Sequence, residues 1–108
     1  MTALHTKFSA LGDASRFAIV ERLLNEGEMQ VSTLQEGLDI SPPAVSRHLK
    51  ILRTAGVIQQ RVDKQRRIYS VRPDAVREIS IWVMDHREFW QSSLDRLEVL
   101  LTQEGNKK

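Results

Sequence analysis

Cysteine is absent from the 108 residues, which removes disulfides, thiolate metal sites and thiol catalysis together. No apolar run approaches the roughly 18 residues that a membrane-spanning helix requires. The opening Met1-Thr2-Ala3-Leu4-His5-Thr6-Lys7 lacks the charged-then-apolar pattern of a secretory signal, so a cytoplasmic location is expected. There is no internal repeat, low-complexity stretch or interior linker. Nor is there a Ser, His and Asp pattern, a glycine-rich phosphate loop or a metal-ligand motif, so neither an enzyme nor a cofactor is expected. With 41% hydrophobic and 28% charged residues the chain is too apolar for disorder, and its length fits one folded domain.

What is present is charge in one place. Between Pro42 and Arg72 stand Arg47, Lys50, Arg53, Arg61, Lys64, Arg66, Arg67 and Arg72, eight cations against the single acid Asp63, a local balance of +7. The remainder holds eight cations against thirteen acids, a balance of −5. A basic segment inside an otherwise acidic domain suits a phosphate-binding face, because release of counterions by Lys and Arg drives most nonspecific nucleic-acid affinity.

Hydrophobic spacing divides the chain into mostly helical elements with a small β-hairpin. Leu4, Phe8 and Leu11 mark a first helix ending at Gly12-Asp13, and Phe17, Val20, Leu23 and Leu24 form the stripe of a second, stopped by Gly27. Val31, Leu34 and Leu38 define a short third helix opened by Gln30 or Ser32. Ser41 then suits an N-cap and Pro42 the first position of a fourth helix, with Val45, Leu49 and Leu52 inward and Gly56 as its stop. Val57–Val62 and Arg67–Val71 flank the polar turn Asp63-Lys64-Gln65-Arg66 as a hairpin. One long amphipathic helix is expected over about 74–103, giving a single domain over 1–104 and a flexible tail at 105–108.

Two helices joined by a few residues, the second basic on its outer face, form a helix-turn-helix, and the hairpin behind it forms a wing. Ser41, Pro43, Ala44, Ser46, Arg47, His48 and Lys50 are the expected DNA-contacting residues of the helix. Short side chains let the helix start descend into the major groove, Arg47 reaches guanine edges or phosphate, and serine and histidine read edges or position the helix. His48 also suits a half-buried packing role, and Arg53 suits the helix C-terminal dipole. On the wing, Lys64, Gln65, Arg66 and Arg67 are expected at phosphate or in the adjacent minor groove, and Tyr69 either offers a hydroxyl there or belongs to the core. The alternative function is a winged helix used to bind protein, which has no need of these cations on one face.

Leu11-Gly12-Asp13-Ala14-Ser15-Arg16, Ile19-Val20-Glu21-Arg22-Leu23, Ser41 through Leu49, and Leu52-Arg53-Thr54-Ala55-Gly56-Val57-Ile58 together resemble the ArsR/SmtB family of bacterial winged-helix repressors. The resemblance covers nearly the whole chain. It implies a sequence-specific, double-stranded DNA-binding transcriptional regulator, a repressor, working as a homodimer on an imperfect palindrome. The first and last helices would form the interface, through Leu4, Phe8, Leu11, Ile79, Trp82, Val83, His86, Phe89, Trp90, Leu94, Leu97 and Leu101. Where the family's metal sensors carry Cys-Val-Cys, this chain has Gln30-Val31-Ser32. Where they carry Leu-Asp-His-Leu, it has Leu94-Asp95-Arg96-Leu97. Asp85, His86 and Glu88 share one helix, but only His86 lies in the apolar register, where packing or hydrogen bonding outweighs metal binding. No metal is therefore expected, and no effector is assigned.

Overall fold

A computed structural model describes residues 3–105. The elements are α1 (Leu4–Leu11), α2 (Ala14–Glu26), β1 (Met29–Gln30), α3 (Val31–Glu36), α4 (Pro42–Thr54), β2 (Ile58–Asp63), β3 (Arg66–Val71), α5 (Pro73–Asp85) and α6 (Arg87–Gly105). The strands form one antiparallel sheet in the order β1-β3-β2. The β2–β3 pairing runs from Ile58 opposite Val71 to Asp63 opposite Arg66. The third strand leaves no sequence pattern: Met29 pairs with Tyr69 and Gln30 with Ile68, and two residues are too few to show alternation.

Local chemistry sets the ends of α4. Ser41 caps its start, with Pro42 and Pro43 in the first turn. At its end, Gly56 adopts φ 81, its N–H donates to the Arg53 carbonyl at 3.0 Å, and the Val57 N–H donates to the Leu52 carbonyl at 3.0 Å. This is the Schellman arrangement, which needs the left-handed backbone that glycine adopts without strain. Asp13 caps α2, and Gly27, at φ 86, ends it.

The chain divides into two compact units, 1–78 and 79–108. In the first, Ile19, Leu34, Val45, Leu49, Leu52, Val57 and Ile58 are each no more than 2% exposed and form the centre of the core. The expected α2 stripe is corrected here. Ile19, Val20 and Leu23 are inside, whereas Phe17 and Leu24 are about half exposed. Both faces of Phe17-Ala18-Ile19-Val20 are apolar, so spacing alone selects the wrong flank. Lys7 is also buried, at 5% exposure, and its ammonium lies 2.9 Å from the Glu78 carboxylate, the pairing a desolvated charge needs.

In the second unit every residue from Ser80 to Gln103 is exposed. The single helix expected over 74–103 is two helices, interrupted at His86. The backbone N–H of His86 donates to the Val83 carbonyl at 3.2 Å, three residues back, while its ring Nδ1 lies 2.8 Å from the Trp82 carbonyl, which can only accept. The imidazole thus substitutes for the backbone donor that would have continued the helix. The apolar stripe passes through this point unbroken, so periodicity gives no sign of it. Of the tail expected at 105–108, Gly105 closes α6 and the rest lies outside the described residues.

Leu52 and Ile51 are adjacent on α4 but 0% and 38% exposed. Leu52→Ala is expected to lower unfolding stability by about 2–5 kcal/mol, and Ile51→Ala by about 1 kcal/mol or less, in urea denaturation.

Candidate nucleic-acid interface

α4 is held by one face and presents the other. Opposite the buried Val45, Leu49 and Leu52, the residues Pro43, Arg47 and Lys50 recur at i, i+4 and i+7, and all are exposed. Ser41 and Ser46 are exposed beside them, and Ala44 is half-buried. At the helix start the two prolines have no N–H, the Ala44 N–H donates to Ser41 Oγ at 3.3 Å, and the Val45 N–H donates to the Ser41 carbonyl at 3.0 Å. The first turn therefore has no backbone donor left for a phosphate. Whatever α4 recognises, it recognises with side chains.

His48 lies on the flank of α4, not on this outward line. Its side chain is 12% exposed, with Nδ1 3.2 Å from Arg16 Nη1 and 3.9 Å from Asp13 Oδ2. Of its two readings, the packing and hydrogen-bonding one matches this placement. Tyr69 is likewise inside: it is 6% exposed, belongs to the core cluster and sits in the central strand between Gln60 and Met29. A buried ring in mid-sheet is a packing residue, so Tyr69 leaves the set of expected contacts.

The wing ends in the two-residue loop Lys64-Gln65 between β2 and β3. Lys64 has φ 60, the sign that lets a tight hairpin follow the twist of its strands but that a side-chain-bearing residue disfavours. It sets a cation at the outermost point of the hairpin. Gln65, Arg66 and Arg67 are exposed beside it. Arg66 Nη2 donates to Asp63 Oδ2 at 2.8 Å, which reduces its net charge toward a ligand.

The basic segment thus separates into two groups. Arg61 grips Glu28 with two hydrogen bonds of 3.1 and 2.6 Å, and Arg72 grips Asp74 with two of 3.0 and 3.1 Å. The partner guanidinium, chiefly through its hydrogen bonds, holds the Glu28 and Asp74 carboxyls below their ordinary values. Arg47, Lys50, Arg53, Lys64 and Arg67 have no acid within ion-pair distance among the described residues. Lys50 and Arg53 also line a groove between the end of α4 and β2, with Gln59, Gln60 and Arg72.

Arg16 is the residue that pattern reading misses, since spacing places it simply on the outside of α2. Its N–H caps onto Asp13 Oδ2 at 3.1 Å, Nε donates to the Ala10 carbonyl at 2.7 Å, and Nη1 meets His48. An aspartate three residues ahead of it signals the cap, but nothing near it in sequence signals His48, which is 32 residues away.

A helix pair followed by an antiparallel hairpin, with the second helix anchored inward and cationic outward, defines a winged helix-turn-helix DNA-binding protein. Known proteins agree. The model for "Bacterial regulatory protein, arsR family" matches residues 13–60. The chain is 37% identical over 99 residues to the HTH-type transcriptional regulator Rv2034 of Mycobacterium tuberculosis, covering 92% of this chain and 89% of that one. It is 30% identical to the transcriptional repressor SdpR of Bacillus subtilis, covering 76% of this chain and 90% of the relative. Among solved structures, the ArsR family transcriptional regulator RHA00566 superposes with a TM-score of 0.72 at 26% identity, covering 82% of this chain and 96% of that one. The chain belongs to the ArsR family and is a DNA-binding transcriptional regulator, a non-enzymatic class.

The Asp13 carboxyl is held below its usual 3.8, first by the Arg16 N–H and then, against some desolvation, by the Arg16 charge. A lowered native value stabilises the fold above the ordinary carboxylate range, and this contribution is lost as pH falls through the native value. Asp13→Asn keeps a cap oxygen but removes the charge. Its stability is expected to be lower near neutrality, where the charge contributes, and to fall less steeply below about pH 4, by up to about one proton, so that the two curves converge in acid.

Proposed function

We propose that the chain acts in the cytoplasm as a homodimeric repressor that occupies an imperfect palindromic operator, with α4 of each protomer in the major groove and its wing on the flanking DNA. The observation that carries this reading is the two-faced α4, fastened to the core by Val45, Leu49 and Leu52 and turned outward at Arg47 and Lys50. A major groove about 12 Å wide admits one helix, and the fork of an arginine matches O6 and N7 of guanine. Lys50 suits a point contact to phosphate or base, and Ser41 and Ser46 suit backbone positioning. Pro43 and Ala44 keep the leading turn small enough to approach the base edges. Lys64, Gln65 and Arg67 address phosphate or the minor groove from the wing, with Arg66 weakened by Asp63.

The dimer is supported by apolar surface that one copy leaves in water. Phe89, Leu94 and Leu101 are 60–62% exposed, and Trp82, Val83, Trp90 and Leu97 add to the same unit. The His86 ring lies against that of Trp82, with centroids 4.7 Å apart and planes tilted by 35°, consistent with a packing role there. On α1, Leu4, Phe8 and Leu11 share one face and remain partly or largely exposed. Exposed apolar surface of this extent is characteristic of an interface, and a second copy carries the same surface. Two α4 helices related by that symmetry would address half-sites about 34 Å apart. Repression is supported by the name of the Bacillus subtilis relative. Gln30, Ser32 and Arg96 stand at the family's ligand positions, so operator release in this reading does not depend on metal.

Operator fragments selected from genomic DNA provide the test. Arg47→Ala is expected to weaken operator binding by about 10- to 100-fold with a smaller change for random duplex, the loss of one base-reading arginine. Lys64→Ala is expected to weaken both alike and to reduce the slope of log affinity against log salt by about 0.9 for each phosphate that the variant leaves unneutralised. Equal affinity of the unaltered protein for operator and random duplex would refute specific reading by α4. Leu97→Asp is expected to sediment as a monomer and to lose operator binding; a dimer retained in that variant would move the interface elsewhere.

A further inference from the structure

Arg16 joins three elements through one side chain and one backbone group. Nε donates to the Ala10 carbonyl in the last turn of α1, the N–H caps onto Asp13 ahead of α2, and Nη1 reaches His48 in the middle of α4. Arginine only donates, so His48 Nδ1 is the acceptor and the ring proton resides on Nε2. His48 follows Arg47 directly and stands two residues before Lys50. The bond therefore grips α4 at the segment that carries its outward cations.

The apolar attachments of α4 are of a different kind. Val45, Leu49 and Leu52 set how deeply the helix sits, and apolar packing has little directionality. A hydrogen bond to a ring nitrogen has a narrow range of angle and length. Side chains on a helix extend to a radius of about 6 Å, so a roll of about 10° about the axis moves their tips by about 1 Å. That exceeds the spread of about 0.5 Å over which a hydrogen bond keeps its strength. The core thus sets the depth of α4 and the sector it turns outward, and the directional bond at His48 narrows the roll that remains.

We propose that Arg16 is a positioning residue for DNA reading: acting through His48, it fixes the roll of α4 and with it the aim of Arg47 and Lys50. The inference rests on the reading of α4 as the DNA-facing helix. Arg16 lies on α2, away from the outward line of α4, so its loss is felt in discrimination between sequences and not in general attraction to DNA.

The test compares affinity for the selected operator and for random duplex at one salt concentration, with ¹⁵N spectra of the histidine rings. Arg16→Lys keeps the charge but cannot reach Ala10 and His48 together. His48→Phe removes the acceptor and keeps the bulk. His48→Asn offers an oxygen near the place of Nδ1. The lysine and phenylalanine variants are each expected to lower the operator-to-random ratio about tenfold, the scale of one misdirected base contact, with random-duplex affinity unchanged. The double variant is expected to lose no more than either single one, and His48→Asn is expected to retain most of the ratio. The unaltered protein should show the Nε2–H tautomer at His48, and Arg16→Lys should lose that bias. Ratios within about twofold of the unaltered protein in both single variants, losses that multiply in the double variant, or an Nδ1–H tautomer would each overturn the inference alone. No discrimination by the unaltered protein would overturn the reading of α4 and this inference with it.

Discussion

Val45, Leu49 and Leu52 are withdrawn from water into the same cluster as Ile19, Leu34 and Ile58, and this burial decides which side of α4 the solvent meets. Each such side chain contributes about 1.5–3 kcal/mol on burial, far more than any exposed ion pair. With three inward positions held, the remaining angular sector of the helix is determined, and Pro43, Arg47 and Lys50 occupy its middle. The outward surface of α4 is in this sense a by-product of core packing. Its cations need no partner to hold them outward, because the opposite face has nowhere else to go.

Polar groups refine what the core sets up. Lys7 with Glu78, Arg61 with Glu28 and Arg16 with Ala10 and His48 each connect different segments of the chain, and none lies on the outward line of α4. Pairs as exposed as Arg61 with Glu28 add little to stability, but they determine which charges remain available to a ligand. Arg61, Arg66 and Arg72 answer acids of their own chain, so the useful positive charge is concentrated at Arg47, Lys50, Arg53, Lys64 and Arg67. A basic segment that looks uniform in composition is divided between fastening the fold and facing outward.

The second unit follows another logic. Its residues from Ser80 to Gln103 are exposed in the single chain, including Phe89, Leu94 and Leu101, so its helices supply apolar surface and not a core of their own. The interruption at His86 replaces one backbone donor by an imidazole and leaves the hydrophobic rhythm intact on either side. This is why spacing indicates a single helix.

Much of α4 is legible residue by residue, since capping by Ser41, initiation at Pro42 and termination at Gly56 depend on atoms a few residues apart. The exposed wing tip is legible for the same reason. Phe17 against Ile19, the inward turn of His48 and the burial of Tyr69 are not, because each residue type is at home on either side of a surface and only the packed neighbours choose. The sequence by itself determined where most of the helices begin and end, the two faces of α4 and the family, all consequences of short-range periodicity and backbone chemistry. Only the tertiary structure decided which cations are committed and which are open, and that Arg16 meets His48 across 32 residues, because pairing depends on distances that the folded core creates.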